Sequence, residues 1–320
     1  MLNKLIFDNY GIIVKNKILI DSHFGTEVFL IETDNGKFIA KTLPLYYDED
    51  INNEGYITDY LINNGINVAR LLKTKNGMYH IKTNELQFHI QEFIKGITLQ
   101  VNTAPEWFLE KSANMLGNIH NVLKSYDTLK IRFGKDFFCN SKVEEAKNYY
   151  TEQLTKAVNG NNVSLTLDLE ERIKHLDRIF LFDIDVDKLT YSNSHGDYHI
   201  GQIISHSNKL TVIDWTSANK MPICLEVICS YVTESPACLD GKIDSLGLKK
   251  YMEHYSEYFS LNDYDIKMMP FILYYQQLLC HYAPPYHGVP DTYKPICKLI
   301  NCFTEWLYLN VENLSIELCK

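Results

Sequence analysis

Ser194-His195-Gly196-Asp197-Tyr198-His199-Ile200-Gly201-Gln202 leads, a few residues on, to Val212-Ile213-Asp214-Trp215. The residues between read as a hairpin: Gln202 to His206 and Lys209 to Ile213 are strand-forming runs, and Ser207-Asn208 is a two-residue loop of turn-forming side chains. Antiparallel pairing about that loop sets Gln202 opposite Ile213 and Gly201 opposite Asp214. An amide oxygen and a carboxylate then meet at the open end of the hairpin, and Asp197 leaves the same end on a short loop. Two carboxylates and an amide are hard oxygen donors with a base to spare, the set that a Mg2+-nucleotide site requires.

Outward toward the N-terminus the pattern is β-rich. Lys17 to His23 and Glu27 to Thr33 are β-branched or aromatic runs, Asn35-Gly36 supplies a tight turn, and Lys37 to Thr42 is the partner strand. Ile51 to Asn64 has helical spacing and ends at Gly65, and Met78 to Lys82 and Gln87 to Phe93 read as two more strands. After Lys95-Gly96 the pattern turns helical. Glu106 to Tyr126 keeps Phe108, Leu109, Ala113, Leu116, Ile119 and Leu123 on one stripe, and stretches from Val143, Leu167, Ile266 and Pro295 behave alike. The expected fold class is α+β and bilobal: a β-rich lobe over 1–95 with one main helix, and a larger helical lobe over 96–320 that carries the hairpin.

Composition narrows the function classes. The 320 residues are 46% hydrophobic and 22% charged, enough for a sizeable core. Lys and Arg number 31 against 40 Asp and Glu, so the formal charge of −9 opposes phosphate backbones and nucleic acid is not an expected partner. Eight cysteines without a C-x-x-C pair fit reduced thiols in a cytoplasmic protein, and Cys224 with Cys229 and Cys297 with Cys302 are spaced for packing as readily as for metal. The N-terminal residues fit neither a secretory signal nor a transit peptide. The apolar stretch from Met268 to Tyr275 is too short to span a bilayer, so no membrane anchor is expected.

With His195-Gly196-Asp197 to Gln202 followed by Ile213-Asp214-Trp215, the chain resembles the aminoglycoside phosphotransferase and choline kinase group of small-molecule kinases, which share the protein-kinase-like fold. The resemblance spans roughly residues 15 to 230 in order, and parts met in order are more specific than any one alone. It implies that Asp197 accepts the proton of the acceptor hydroxyl, that Asp214 binds Mg2+, and that Gln202 replaces the usual metal-binding Asn, keeping the oxygen and adding a methylene. Ile39 and Lys41 share a strand face, and Lys41 resembles the strand lysine that contacts nucleotide phosphates, with Glu54 as its partner from the following helix. Gly25 and Thr26 sit in the place of the phosphate-covering loop, which here has a single Gly. Glu92, Phe93 and Ile94 resemble the hinge that meets the adenine edge.

Other residues have competing readings. His195 reads as structural, bonded to backbone near the loop. His199 faces acceptor or solvent, and Glu226 either approaches a cationic acceptor or pairs with an arginine such as Arg70, Arg132 or Arg172. Trp107, Trp215 and Trp306 read as packing before they read as a cage for an amine. His281 and His287, with Pro284 and Pro285, read as a turn between helices rather than a metal loop. The expected reaction is ATP- or GTP-dependent phosphorylation, with Mg2+, of a hydroxyl on a small acceptor such as an aminoglycoside, choline or a related amino alcohol or sugar. The alternative is a non-catalytic pseudokinase that binds nucleotide or acts as a scaffold.

Overall fold

A computed structural model describes residues 1–23, 25–45, 52–179, 182–279 and 294–320. The chain divides into two compact units: Met1–Thr98 with Gln202–Ala218, and Leu99–Gly201 with Asn219–Lys320. The first is β-rich and the second mostly helical, the α+β class expected from the sequence.

In the first unit, helix α1 (Leu2–Tyr10) precedes β1 (Asn16–His23), β2 (Thr26–Thr33) and β3 (Gly36–Leu43). Helix α2 (Asn52–Asn63), β4 (His80–Lys82), β5 (Gln87–Glu92) and β6 (Ile97–Thr98) follow. Five strands form an antiparallel sheet in the order β1-β2-β3-β5-β4. Strand alternation gives it two distinct faces. Phe29, Ile31, Ala40, Phe88 and Ile90 line one and form a core with Leu2 and Ile6 of α1, a helix the sequence reading did not foresee. Ile39 and Lys41 belong to the other, where β5 pairs them with Gln91 and His89.

The hairpin consists of β8 (Ile203–His206) and β9 (Lys209–Val212) in the register expected: Ile203 pairs with Val212, and the Ile213 amide donates to the Gln202 carbonyl at 2.9 Å. Ser207 and Asn208 have φ of 49° and 59°, the left-handed pair that a two-residue hairpin loop demands. Although the sequence reading counted residues 202–218 with the helical lobe, they pack with the first unit, and backbone bonds supply the reason. Val212 donates to the Asn67 carbonyl at 3.0 Å and accepts from the Ala69 amide at 3.1 Å, while β8 pairs with β6. The connector needs Gly96, because a Cβ there would lie 2.5 Å from Ile204 Cγ2 and 2.6 Å from the Ser205 carbonyl oxygen.

The second unit holds α3 (Glu106–Leu123), α4 (Asn140–Asn159), α5 (Val163–Ile179), α6 (Ile223–Glu234), α7 (Ser245–Ser256), α8 (Asp263–Leu279) and α9 (Lys294–Leu318). Strands β7 (Tyr191–Ser194) and β10 (Asn219–Pro222) pair antiparallel and flank the His195–Gly201 loop and the hairpin in sequence. Helix α3 packs on α7, α4 on α5, and α8 on α6 and α9. Nearly every α6 residue is buried, Cys224 among them and the polar Glu226, Ser230 and Glu234 too. Among the described residues no helix is long and apolar enough to cross a membrane. His281, His287, Pro284 and Pro285 lie outside the described residues.

Candidate active site

In the first unit, Lys41 Nζ lies 2.5 Å from Asp214 Oδ1, 173 positions along the chain. The Lys41 side chain is 10% exposed and that of Asp214 28%. Asp214 follows the end of β9 with φ 61° and ψ 70°, a left-handed backbone that aspartate tolerates better than most residues, and Thr216 Oγ1 donates to the same Oδ1 at 2.6 Å. Glu54, the expected partner of Lys41, lies within the pull of its charge, while its Oε1 accepts from the Trp215 amide at 3.0 Å and its Oε2 lies 3.6 Å from His89 Nδ1. Burial pushes the Glu54 carboxyl up to about 7, against the pull of Lys41. Burial and then the Lys41 charge push His89 down to about 3, so this imidazole is neutral at physiological pH.

The remaining nucleotide-side candidates fall on recognisable features. Gly25 has φ +80° in the turn from β1 to β2, and Thr26 is the buried first residue of β2; Phe24 lies outside the described residues. Ile39 is buried between Leu30 and Gln91. The Glu92 amide donates to the Arg70 carbonyl at 2.9 Å, after which Phe93 and Ile94 leave the sheet, Phe93 being 40% exposed. Gln202 is half-buried before β8, as Asp214 is after β9. A carboxylate and an amide oxygen at the open end of one hairpin are hard donors suited to Mg2+, with nucleotide oxygens needed to complete its shell.

In the second unit the Asp197 carboxylate is 54% exposed while its loop is fixed from beneath. His195 is fully buried, and its Nδ1 accepts from the Asp197 amide at 3.2 Å, in line with the structural reading of this residue. The Gly196 amide donates to Glu226 Oε1 at 2.5 Å. Glu226 therefore needs correction as an acceptor-binding candidate. It is 2% exposed, one oxygen holds Gly196, and the other meets His120 Nε2 at 2.8 Å rather than any of the three arginines considered. His120 also bonds the Tyr255 hydroxyl at 2.7 Å and Ser194 Oγ at 3.2 Å, which ties α3, α6 and α7 to the loop. His199 Nε2 lies 3.6 Å from Asp197 Oδ2, and its Nδ1 accepts from the Gly201 amide at 3.0 Å. His120 and His89 escaped sequence reading because a lone histidine in an apolar helix or strand has the appearance of core; only their distant carboxylates mark them.

A profile of the phosphotransferase enzyme family matches residues 18–258. No curated protein matches the chain. Among solved structures, an amicoumacin kinase in complex with AMP-PNP, Ca2+ and Ami superposes with a TM-score of 0.65 at 13% identity, covering 98% of this chain and 92% of that one. A microcompartment-associated aminopropanol kinase gives 0.60 at 15% identity, covering 100% and 98%. An aminoglycoside phosphotransferase from Alicyclobacillus acidocaldarius subsp. acidocaldarius gives 0.57 at 14% identity, covering 98% and 97%. At such identities the likeness is one of fold. The profile, however, takes in most of the chain, with the strand lysine, the His195-Gly196-Asp197 loop and the hairpin aspartate all inside it, and the chain belongs to the phosphotransferase enzyme family.

Proposed function

We propose that the chain transfers the terminal phosphoryl group of ATP or GTP to a hydroxyl of a small acceptor, with amine-bearing sugars and amino alcohols the favoured class. The observation that carries this reading is the 2.5 Å pair between Lys41 and Asp214, a phosphate-type cation beside a metal-type carboxylate. Lys41 binds phosphate oxygens, while Asp214 and Gln202 would hold Mg2+, which when bound neutralises charge on the phosphates. Asp197 orients the acceptor hydroxyl and takes its proton as the oxygen bonds to the terminal phosphorus and the bond to the leaving diphosphate breaks. Glu226 and His195 keep the loop backbone in place, so little reorganises during transfer. The acidic charge of −9 suits a cationic acceptor, and the similar solved kinases include one acting on aminopropanol.

The test is a transfer assay with ATP, GTP and Mg2+ against a panel of amino sugars, choline, methylthioribose and amino alcohols, run beside thermal shift with nucleotide. We expect Mg2+-dependent stabilisation that Lys41→Met abolishes, and transfer to at least one panel member. Absence of both nucleotide stabilisation and transfer in the wild-type chain refutes the reading.

A further inference from the structure

Beneath the Asp197 loop lies a buried polar cluster that phosphotransfer, as described so far, does not use. Tyr198, next to Asp197, is 1% exposed and sets its ring against His195 at a centroid distance of 6.0 Å. Its hydroxyl donates to the Ser112 carbonyl at 3.1 Å and lies 3.1 Å from Ser112 Oγ, in the middle of α3. Ser112 Oγ donates to Glu234 Oε1 at 2.5 Å, and Ser230 Oγ donates to the same oxygen at 2.8 Å. Tyr251 of α7 closes the cluster, its hydroxyl 2.6 Å from Ser230 Oγ and 3.3 Å from Ser112 Oγ. Every one of these side chains is buried, and Glu234, on the last turn of α6, is fully so, with Oε2 lacking any hydrogen-bond partner.

Such a cluster is costly. A carboxyl removed from water with one oxygen unsatisfied forfeits hydration that apolar packing would never have demanded. Burial pushes Glu234 up to about 8, so near neutrality the group is mostly an uncharged acid, and its use lies in bonds rather than in field. Those bonds lead, through one serine, to the residue beside the proposed base. What the bonded part of such a network confers is a fixed geometry rather than net stability.

The geometry points to Tyr198, Ser112 and Glu234 as positioning residues that fix the angle at which Asp197 presents its carboxylate, a third tether beside those of His195 and Glu226. The inference rests on the phosphotransfer reading of Asp197. Tyr198→Phe keeps the ring and removes the hydroxyl. It should lower kcat by ~10–10²-fold while KM for ATP stays within about twofold and the melting temperature barely moves. Glu234→Leu should reproduce that loss, the double variant should lose no more than either single one, and Glu234→Gln, which keeps an oxygen to accept from Ser112, should recover most of the turnover. A purely structural role would lower melting temperature without this split or this non-additivity. Wild-type kcat in Tyr198→Phe, or losses that multiply in the double variant, would overturn the inference. Hydrogen exchange separates its failure from that of the functional reading. Should the wild-type chain transfer no phosphate, faster exchange in Tyr198→Phe confined to amides 195–199 sustains the tether, and unchanged exchange there rejects it.

Discussion

The two halves of the proposed machinery hold their charged groups in opposite ways. On the sheet, Lys41 and Asp214 are joined directly, charge to charge, with the lysine side chain only 10% exposed. On the loop, the Asp197 carboxylate is 54% exposed, and the buried groups Glu226, His195 and Tyr198 act on the surrounding backbone and hydroxyls instead. A direct ion pair makes each charge depend on its partner, since removing one strands the other, whereas a backbone tether leaves the reactive group free for substrate while fixing its direction.

The contrast can be broken most sharply at Asp197. Asp197→Asn should cost ~10²–10⁴-fold in turnover, as expected for loss of a general base, with unfolding free energy unchanged because the side chain is exposed. Steady-state kinetics beside urea denaturation checks both halves, and a large stability loss would contradict the backbone-tether account. Asp214→Ala should do the reverse, destabilising the fold by about 3 kcal/mol, the low end for breaking a buried pair since the carboxylate keeps 28% exposure. Nucleotide stabilisation dependent on Mg2+ should vanish with it in thermal shift. Unaltered stability would show that the Lys41 ammonium finds water or another carboxylate at no cost.

Smaller effects sharpen the comparison. Glu226→Ala strands the Gly196 amide and the His120 ring, a loss of about 2 kcal/mol, and Glu226→Gln should recover part of it by accepting from Gly196. Equal loss in the two variants would mean that charge, not hydrogen bonding, matters there. The most gradual effect is a pH slope from Glu234. Its folded value, about 8, exceeds the ordinary 4.5, so between these values the folded chain holds the proton that the unfolded chain has released. The contribution is therefore complete below pH 4.5 and is lost as pH rises through about 8, at no more than about 1.4 kcal/mol per pH unit. His89, lowered to about 3, contributes with the opposite sign: its stability is present above 6.5 and is lost as pH falls toward 3. Urea midpoints from pH 5 to 8 should flatten in Glu234→Gln, and an unchanged slope would remove Glu234 as its source.

Much of the fold was legible because its signals are local. Ser207-Asn208 between β8 and β9 places a turn by backbone preference alone and sets the register that brings Gln202 opposite Ile213, whereas the β2–β3 loop falls on Asp34-Asn35, one residue before the expected Asn35-Gly36, because Gly36 already pairs with Thr33. Helix α1 was missed because nine residues make under three turns, too short a run for the Leu2, Leu5 and Ile6 spacing to stand out as a helical period. Strands β7 and β10, four residues each, are too short to display a period before they meet.

What the sequence by itself determined is the order of elements, the turn chemistry, and the residue types placed at a strand end, a loop and a hairpin. Tertiary structure alone decided which groups became partners. Lys41 pairs with Asp214, Glu54 holds the Trp215 amide within the pull of the Lys41 charge, and Glu226 turned to His120 and Gly196 instead of toward an acceptor. Periodicity and turn preference act over a few bonds and are written in neighbouring residues. The choice among distant polar partners depends on which helix covers which face, and that is settled only when burial makes each unpaired donor or carboxylate costly.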